Sequence, residues 1–160
     1  MKEIPASAFW LGWAGVLPFA ALAALAIAGG AETGWALGSL AAYGMIILSF
    51  MGGVQWGLEM ARPDGREAGF AGFAASVVPA LVAFGASLAD PLLSLGVLAV
   101  GFAGLLAYDL ARVRFGIGPP WYARLRWQLS AAVLFCLAVA GLLKNPRPAS
   151  RSSELFRGCT

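Results

Sequence analysis

Two pairs of polar residues interrupt the long apolar stretches of this chain and are its strongest candidates for chemistry. Gln55 and Glu59 lie four residues apart, so a helix would present both side chains on one stripe. Asp109 and Arg112 lie three residues apart near the end of another apolar stretch. Polar groups inside a membrane usually mark function, so in a chain that crosses a membrane these residues would predict a site for a proton or cation. The favoured interpretation is nevertheless structural: Glu59 pairs with Arg62 at the membrane surface, and Asp109 with Arg112 at a helix end.

Small residues in the first of these stretches form a second candidate, a surface for close helix packing. On a helix, Ser49, Gly53 and Gly57 lie in one row, which allows another backbone to approach closely. Gly52 and Trp56 lie beside that row. The pattern predicts helix contact, either inside the chain or with another subunit or a cofactor.

The residue types argue against the common catalytic and metal-binding arrangements. The chain has no histidine, which removes imidazole ligation of haem, chlorophyll and most metal sites. Its serines therefore lack a histidine partner for nucleophilic catalysis, and no glycine-rich phosphate loop follows a predicted strand. We expect no enzymatic activity, no metal site and no cofactor.

The composition indicates that helices crossing a membrane position these residues. Hydrophobic residues make up 60% of the chain and charged residues 12%, against roughly 25% charged in soluble domains. Apolar stretches recur at about the length of 20 residues that crosses a bilayer. The predicted fold is all-α, an integral membrane bundle of five transmembrane helices. The spans lie at about residues 8–28, 35–58, 68–89, 91–110 and 127–143.

Local signals mark several boundaries between the spans. Asp90 and Pro91 predict a helix N-cap followed by proline at the first helical position. Residues 116–122 predict a stiff aromatic loop, and residues 144–160 a polar, disordered tail. The first span also resembles a cleaved signal peptide, but its length favours a retained helix that follows a cytoplasmic segment at residues 1–7.

Basic residues predict the orientation of the bundle. With five spans, one side of the membrane receives Lys2, Arg62, Arg66, Arg112, Arg114, Arg124 and Arg126, and the turns opposite receive no lysine or arginine. By the positive-inside rule the N-terminus is then cytoplasmic. The tail is also basic and would lie outside, so its side stays open.

Arginines and aromatic residues on the predicted cytoplasmic side form a cationic belt. Its members are Arg112, Arg114, Trp121, Tyr122, Arg124 and Arg126. Anionic lipid headgroups are the expected partner, and the simpler alternative is that the belt anchors the topology. The net charge of +3 is modest and lies in loops and tail, so nucleic acid is not an expected partner.

Several ordered motifs resemble an uncharacterised family of polytopic inner-membrane proteins that includes the mitochondrial transmembrane protein 69 of eukaryotes and many bacterial homologues. The motifs are LGWAGVLPF at 11–19, YG at 43–44 with SFMGGVQWG at 49–57, SVVP at 76–79 and PPWYARLR at 119–126. The resemblance covers about residues 8–143. It implies a small helical protein of bacterial or mitochondrial inner membranes, and it supplies neither an activity nor catalytic residues.

The expected function is that of a non-catalytic accessory, assembly or scaffold subunit in an energy-transducing complex, respiratory or photosynthetic. We expect a multi-pass protein of the bacterial inner membrane that contacts lipids and other membrane subunits. The alternative is a small channel or carrier for a proton, cation or small solute. A water-filled cavity that reaches Gln55 would favour transport, and a groove at Gly53 filled by a foreign helix would favour the accessory role.

Overall fold

The fold is entirely helical over the residues that the computed structural model describes, which are 3–61 and 69–144. The helices are α1 (Ala6–Ala28), α2 (Thr33–Met60), α3 (Phe70–Ser87), α4 (Pro91–Arg114) and α5 (Pro120–Lys144). Each is long and apolar enough to cross a membrane. The predicted all-α membrane bundle is confirmed.

Two helices extend well beyond their predicted spans. The fourth continues to Arg114, and the fifth begins at Pro120 rather than at residue 127. The connection is short because Gly116 and Gly118 take positive φ angles of 79° and 99°, which glycine adopts without strain. Residues 120–122 of the predicted aromatic loop therefore form the first turn of α5, with proline at a favourable first position. Predictions about Lys2, Arg62, Arg66 and the tail after residue 144 fall outside the described residues.

The second and fourth helices lie at the centre of the bundle. Helix α2 packs against α1, α3 and α4, and α4 packs against α2, α3 and α5. Helix α5 also packs against α1. Successive helices joined by short connections run antiparallel. One end of the bundle, called here the charged end, therefore holds the final turns of α2 and α4 and the first turns of α1, α3 and α5.

The middle of the bundle is apolar. Phe19 is fully buried, with its ring centroid 6.1 Å from that of Phe102 and 4.9 Å from that of Tyr43. The Tyr43 hydroxyl donates to the Gly15 carbonyl at 3.0 Å, so the ring's polar end is satisfied. Large apolar side chains such as Leu11, which is 74% exposed, cover the outside, as expected of a surface that faces lipid.

The opposite end of the bundle is closed by short-range hydrogen bonds. Asp90 caps α4 by accepting from the backbone N–H groups of Leu92 and Leu93, both at 3.1 Å. The Ser94 hydroxyl donates to the Ala86 carbonyl at 2.6 Å and so connects α4 to the end of α3. The predicted cap at Asp90 is confirmed.

A buried polar cluster at the charged end

Five polar side chains from three helices meet inside the charged end of the bundle. This polar cluster consists of Gln55 and Glu59 from α2, Asp109 and Arg112 from α4, and Arg126 from α5. All five residues are at least nine-tenths buried. With a helical rise of about 1.5 Å per residue, Gln55, Asp109 and Arg126 lie roughly 7–9 Å inside the ends of their helices.

Asp109 is the centre of the cluster and joins three helices. One carboxylate oxygen, Oδ1, accepts a hydrogen bond from the Gln55 side-chain amide of α2. The other, Oδ2, accepts from Nε of Arg126 on α5 and forms a salt bridge with it. Because Asp109 is 1% exposed, these contacts replace the water that would solvate its charge.

Glu59 and Arg112 form a second ion pair, which joins α2 to α4. Nη2 of Arg112 lies 2.8 Å from Oε2 of Glu59, and the two side chains are 7% and 1% exposed. Nη1 of Arg112 donates to the Tyr108 hydroxyl at 3.1 Å, and its guanidinium carbon lies 5.5 Å from the Tyr108 ring centroid. The pair is thus held inside the bundle rather than at the membrane surface.

Helix α3 closes the cluster with backbone rather than with a polar side chain. A Cβ placed on Gly72 would overlap the Glu59 carboxylate, with Oε1 only 2.5 Å away. One face of α2 also presses on α3, because a Cβ on Gly52 would lie 2.5 Å from the Ser76 carbonyl oxygen. Glycine at both positions permits these approaches, and α2 with α3 thereby covers the carboxylate.

The formal charges of the cluster cancel. Two carboxylates and two guanidinium groups form two pairs, each between different helices. An unpaired charge at membrane depth is costly, and a buried pair is tolerated when its geometry and hydrogen bonds are favourable. The two ion pairs therefore fix α2, α4 and α5 relative to one another.

The structure brings the four predicted polar residues together but pairs them differently from the sequence prediction. Asp109 and Arg112, expected to pair along one helix, instead reach across to other helices. Arg62, the expected partner of Glu59, lies outside the described residues. Arg126 could not be placed in this cluster from the sequence, because the pattern of residues 116–122 predicts a loop that leaves Arg126 at the membrane surface.

The predicted row of small residues is not a contact face within the described chain. A Cβ on Gly53 or Gly57 would meet no atom within 4 Å beyond its own helix backbone among residues 3–61 and 69–144. Ser49 donates to the Met45 carbonyl of its own helix at 2.9 Å. Gly52 is the residue that contacts α3, because α2 turns the stripe shared with Gln55 toward the bundle.

The predicted aromatic and lipid-contact residues divide between the inside and the outside of the bundle. Trp56 is 43% exposed and packs its ring 4.6 Å from that of Phe73. Arg112 and Arg126 are buried in ion pairs, which corrects their assignment to the headgroup belt. Arg114 and Arg124 are exposed and Trp121 is half-buried, so these three keep the lipid prediction. Tyr122 is also half-buried, but its hydroxyl is buried and does not face the lipid headgroups.

Some polar atoms near the cluster have no hydrogen-bond partner in the part of the chain that the structure describes. Among them are Oε1 of Gln55, Nε of Arg112, Nη2 of Arg126 and the hydroxyls of Tyr122 and Ser130. Over the same residues, no group of three or more His, Cys, Asp or Glu side chains is placed to hold a metal ion. The cluster thus offers donors and one free amide oxygen, and no assembled set of metal ligands.

Comparison with known proteins supports the resemblance that the motifs suggested. The chain is 34% identical over 139 residues to Transmembrane protein 69 of Xenopus tropicalis, a match covering 86% of this chain and 54% of that protein. The chain therefore spans about half the length of this curated relative. No solved structure matches it. Residues 4–142 match a family described as a protein of unknown function, DUF3429. With five membrane-length helices among its described residues, the chain is thus a multi-pass membrane protein and belongs to the DUF3429 family.

Proposed function

We propose that this chain is a non-catalytic accessory, assembly or scaffold subunit of an energy-transducing complex, respiratory or photosynthetic, in the bacterial inner membrane. The observation that carries the proposal is the outward face of α2. Gly53 and Gly57 leave a shallow surface that no other described helix covers. Phe50, 66% exposed, and Trp56 stand beside it. Small residues flanked by large apolar ones suit close contact with a transmembrane helix of another subunit.

The polar cluster supports this structural role. Each of its carboxylates has a guanidinium partner on a different helix. A scaffold needs helices with fixed relative positions, and buried ion pairs between helices supply that constraint. The contacts on the inward face of α2 then fix the position of its outward face.

We also propose that exposed arginines at the charged end contact lipid headgroups. Arg114 and Arg124 are exposed, and Trp121 in the first turn of α5 is half-buried. Basic residues near a negatively charged leaflet contribute about 1 kcal/mol each. Native mass spectrometry should show less cardiolipin or phosphatidylglycerol retained when both arginines become glutamine. Unchanged lipid retention would contradict this part of the proposal.

Site-specific photo-crosslinking in native membranes tests the accessory role. A photoreactive amino acid at Gly53 should give adducts with subunits of a respiratory or photosynthetic complex, identified by mass spectrometry. Gly85 of α3 is a matched control, because it is also an exposed helical glycine with no neighbour within 4 Å of an added Cβ in the described chain. Adducts with lipid alone at Gly53, or the same protein adducts at both positions, would contradict the proposal.

A channel or carrier for a proton, cation or small solute is the second candidate. It is favoured by the buried Gln55 amide oxygen, which lacks a hydrogen-bond partner among the described residues. Purified chain reconstituted in liposomes would then dissipate a proton or potassium gradient, and Gln55→Leu would abolish the flux. If the gradient decays no faster in these liposomes than in protein-free liposomes, the channel or carrier is excluded and the accessory role remains.

A further inference from the structure

A cavity of about 190 Å³ lies beside the polar cluster, among α1, α2, α4 and α5. Phe19, Phe50 and Phe102 contribute to its apolar wall, and Arg126 and Ser130 contribute its polar side chains. Phe50 is 66% exposed on the outer surface, so the cavity borders the membrane. The volume is that of roughly six water molecules at about 30 Å³ each.

The polar side of this cavity holds hydrogen-bonding groups that the protein itself does not satisfy. Arg126 uses its Nε for Asp109, but its Nη2 has no partner in the described structure. The hydroxyl of Ser130, one helical turn further along α5, has none either. Both residues are more than nine-tenths buried. Native proteins leave few such groups unpaired, so this pair of donors indicates a molecule that supplies an acceptor oxygen.

Charge decides which kind of acceptor fits. Asp109 already compensates the charge of Arg126, so an anion bound to Arg126 would place an uncompensated negative charge beside Asp109 in a medium of low dielectric constant. A neutral carbonyl oxygen can accept from both Nη2 of Arg126 and the Ser130 hydroxyl without that cost. Charge balance therefore favours a neutral, membrane-soluble carbonyl compound.

We propose that the cavity binds the ring of a membrane quinone, with one ring carbonyl at Arg126 and Ser130. The walls supplied by Phe19, Phe50 and Phe102 offer aromatic surfaces for a flat ring. The exposed side of the cavity, at Leu11 and Phe50, gives the alkyl tail a route into the lipid. This assignment does not depend on the accessory role, because it concerns binding by the isolated chain.

Binding of three matched compounds to the full chain in lipid nanodiscs tests the proposal. A decyl-substituted benzoquinone should bind saturably, as measured by calorimetric titration. Decylbenzene, which has the tail but no carbonyl, should not, and a monoacylglycerol supplies an ester carbonyl without the ring. Equal binding of decylbenzene would show that the site is an apolar cleft that does not recognise a carbonyl group. Equal or tighter binding of the monoacylglycerol would mean that the site recognises a lipid rather than a quinone. If none of the three compounds binds, the cavity holds only water and the proposal is wrong.

Two variants test whether the bound molecule occupies this cavity. Ser130→Ala should weaken quinone binding about fivefold through the loss of one hydrogen bond. The melting temperature without quinone should be unchanged or higher, because an unpaired buried hydroxyl has been removed. Ser87→Ala is the control, since the Ser87 hydroxyl is exposed and donates to its own helix.

The second variant fills the cavity. Gly15 lines it, and a Cβ there would meet nothing within 4 Å in the described chain beyond its own helix backbone. Gly15→Leu should therefore abolish quinone binding while the chain stays folded, and Gly85→Leu, on an open surface of α3, should leave binding intact. Wild-type affinity in both Gly15→Leu and Ser130→Ala would overturn the assignment.

Discussion

The two ends of the bundle are held together by different interactions. At the opposite end, Asp90 caps its own helix and Ser94 donates to Ala86, eight residues earlier in the chain. At the charged end, Asp109 is bound by Gln55 and Arg126, which come from two other helices. The first set joins neighbours in sequence, and the second joins residues that meet only when three helices have assembled.

Because of this difference, the loss of one interaction should have different consequences at the two ends. An exposed cap that is lost leaves backbone N–H groups open to water or lipid headgroups, which can partly replace it. An ion-pair partner that is lost leaves a charge buried without compensation. The charged end should therefore be the more sensitive to substitution.

The largest effect is expected for Asp109→Ala. The substitution leaves the Arg126 guanidinium and the Gln55 amide without their carboxylate, which should cost about 3–5 kcal/mol in the free energy of unfolding. Denaturation of the purified protein in mild detergent measures it. Asp90→Ala at the opposite end removes the same side chain and is the matched control. Equal losses for the two variants would mean that the ends do not differ.

Replacement of both members of the second ion pair should cost less than replacement of one. Arg112→Met alone removes the guanidinium that lies 2.8 Å from the buried Glu59 carboxylate, and Glu59→Met alone removes the carboxylate from the buried Arg112 guanidinium. The double variant restores charge balance with apolar side chains, and should recover about 1–3 kcal/mol relative to the sum of the single changes. A double-mutant cycle in detergent gives this coupling directly. Additive losses would show that the pair does not join α2 to α4.

Adjacent glycines on α2 provide the next comparison. Gly52→Ala places a methyl group against the Ser76 carbonyl oxygen, and should destabilise the protein by about 1–3 kcal/mol through overpacking. Gly53→Ala places its methyl group on the open surface, and should be neutral or stabilise the helix by about 0.5–1 kcal/mol. Thermal denaturation of the two variants separates the cases. A larger loss at Gly53 in the isolated protein would place the contact face where the sequence pattern put it.

The smallest effect belongs to the opposite end. Asp90→Ala removes the acceptor for the N–H groups of Leu92 and Leu93, and should cost about 1 kcal/mol. Asp90→Asn keeps an acceptor oxygen and should restore most of that loss. Equal losses for Ala and Asn would show that the cap does not stabilise α4.

Much of the architecture could be predicted because it depends on local chemistry. A stretch such as residues 8–28 contains enough apolar residues to cross a bilayer, and in lipid the backbone must satisfy its own hydrogen bonds by forming a helix. Asp90 followed by Pro91 likewise specifies a helix start without reference to the rest of the chain. The start of α5 was missed, because proline and glycine punctuate residues 116–120 and one of those prolines begins the helix.

The sequence identified most of the polar residues of the candidate site but not how they pair. Gln55, Glu59, Asp109 and Arg112 stand out because polar residues are costly at membrane depth. Their partners could not be assigned, because a carboxylate can pair with any arginine that the packing brings near. Gly52 and Gly53 show the same limit, since two adjacent glycines look alike until the rotation of α2 within the bundle is known.

The sequence by itself determined that this chain forms membrane-crossing helices, where most of them begin and end, and which few polar residues must find partners. Apolar length, caps and turns act over one or two helical turns, so the residues concerned are neighbours in the chain. Only the tertiary structure decided that Glu59 pairs with Arg112, that Asp109 pairs with Arg126, and that Gly52 faces inward. Those outcomes depend on helix rotation and packing depth, which are set by all five helices together.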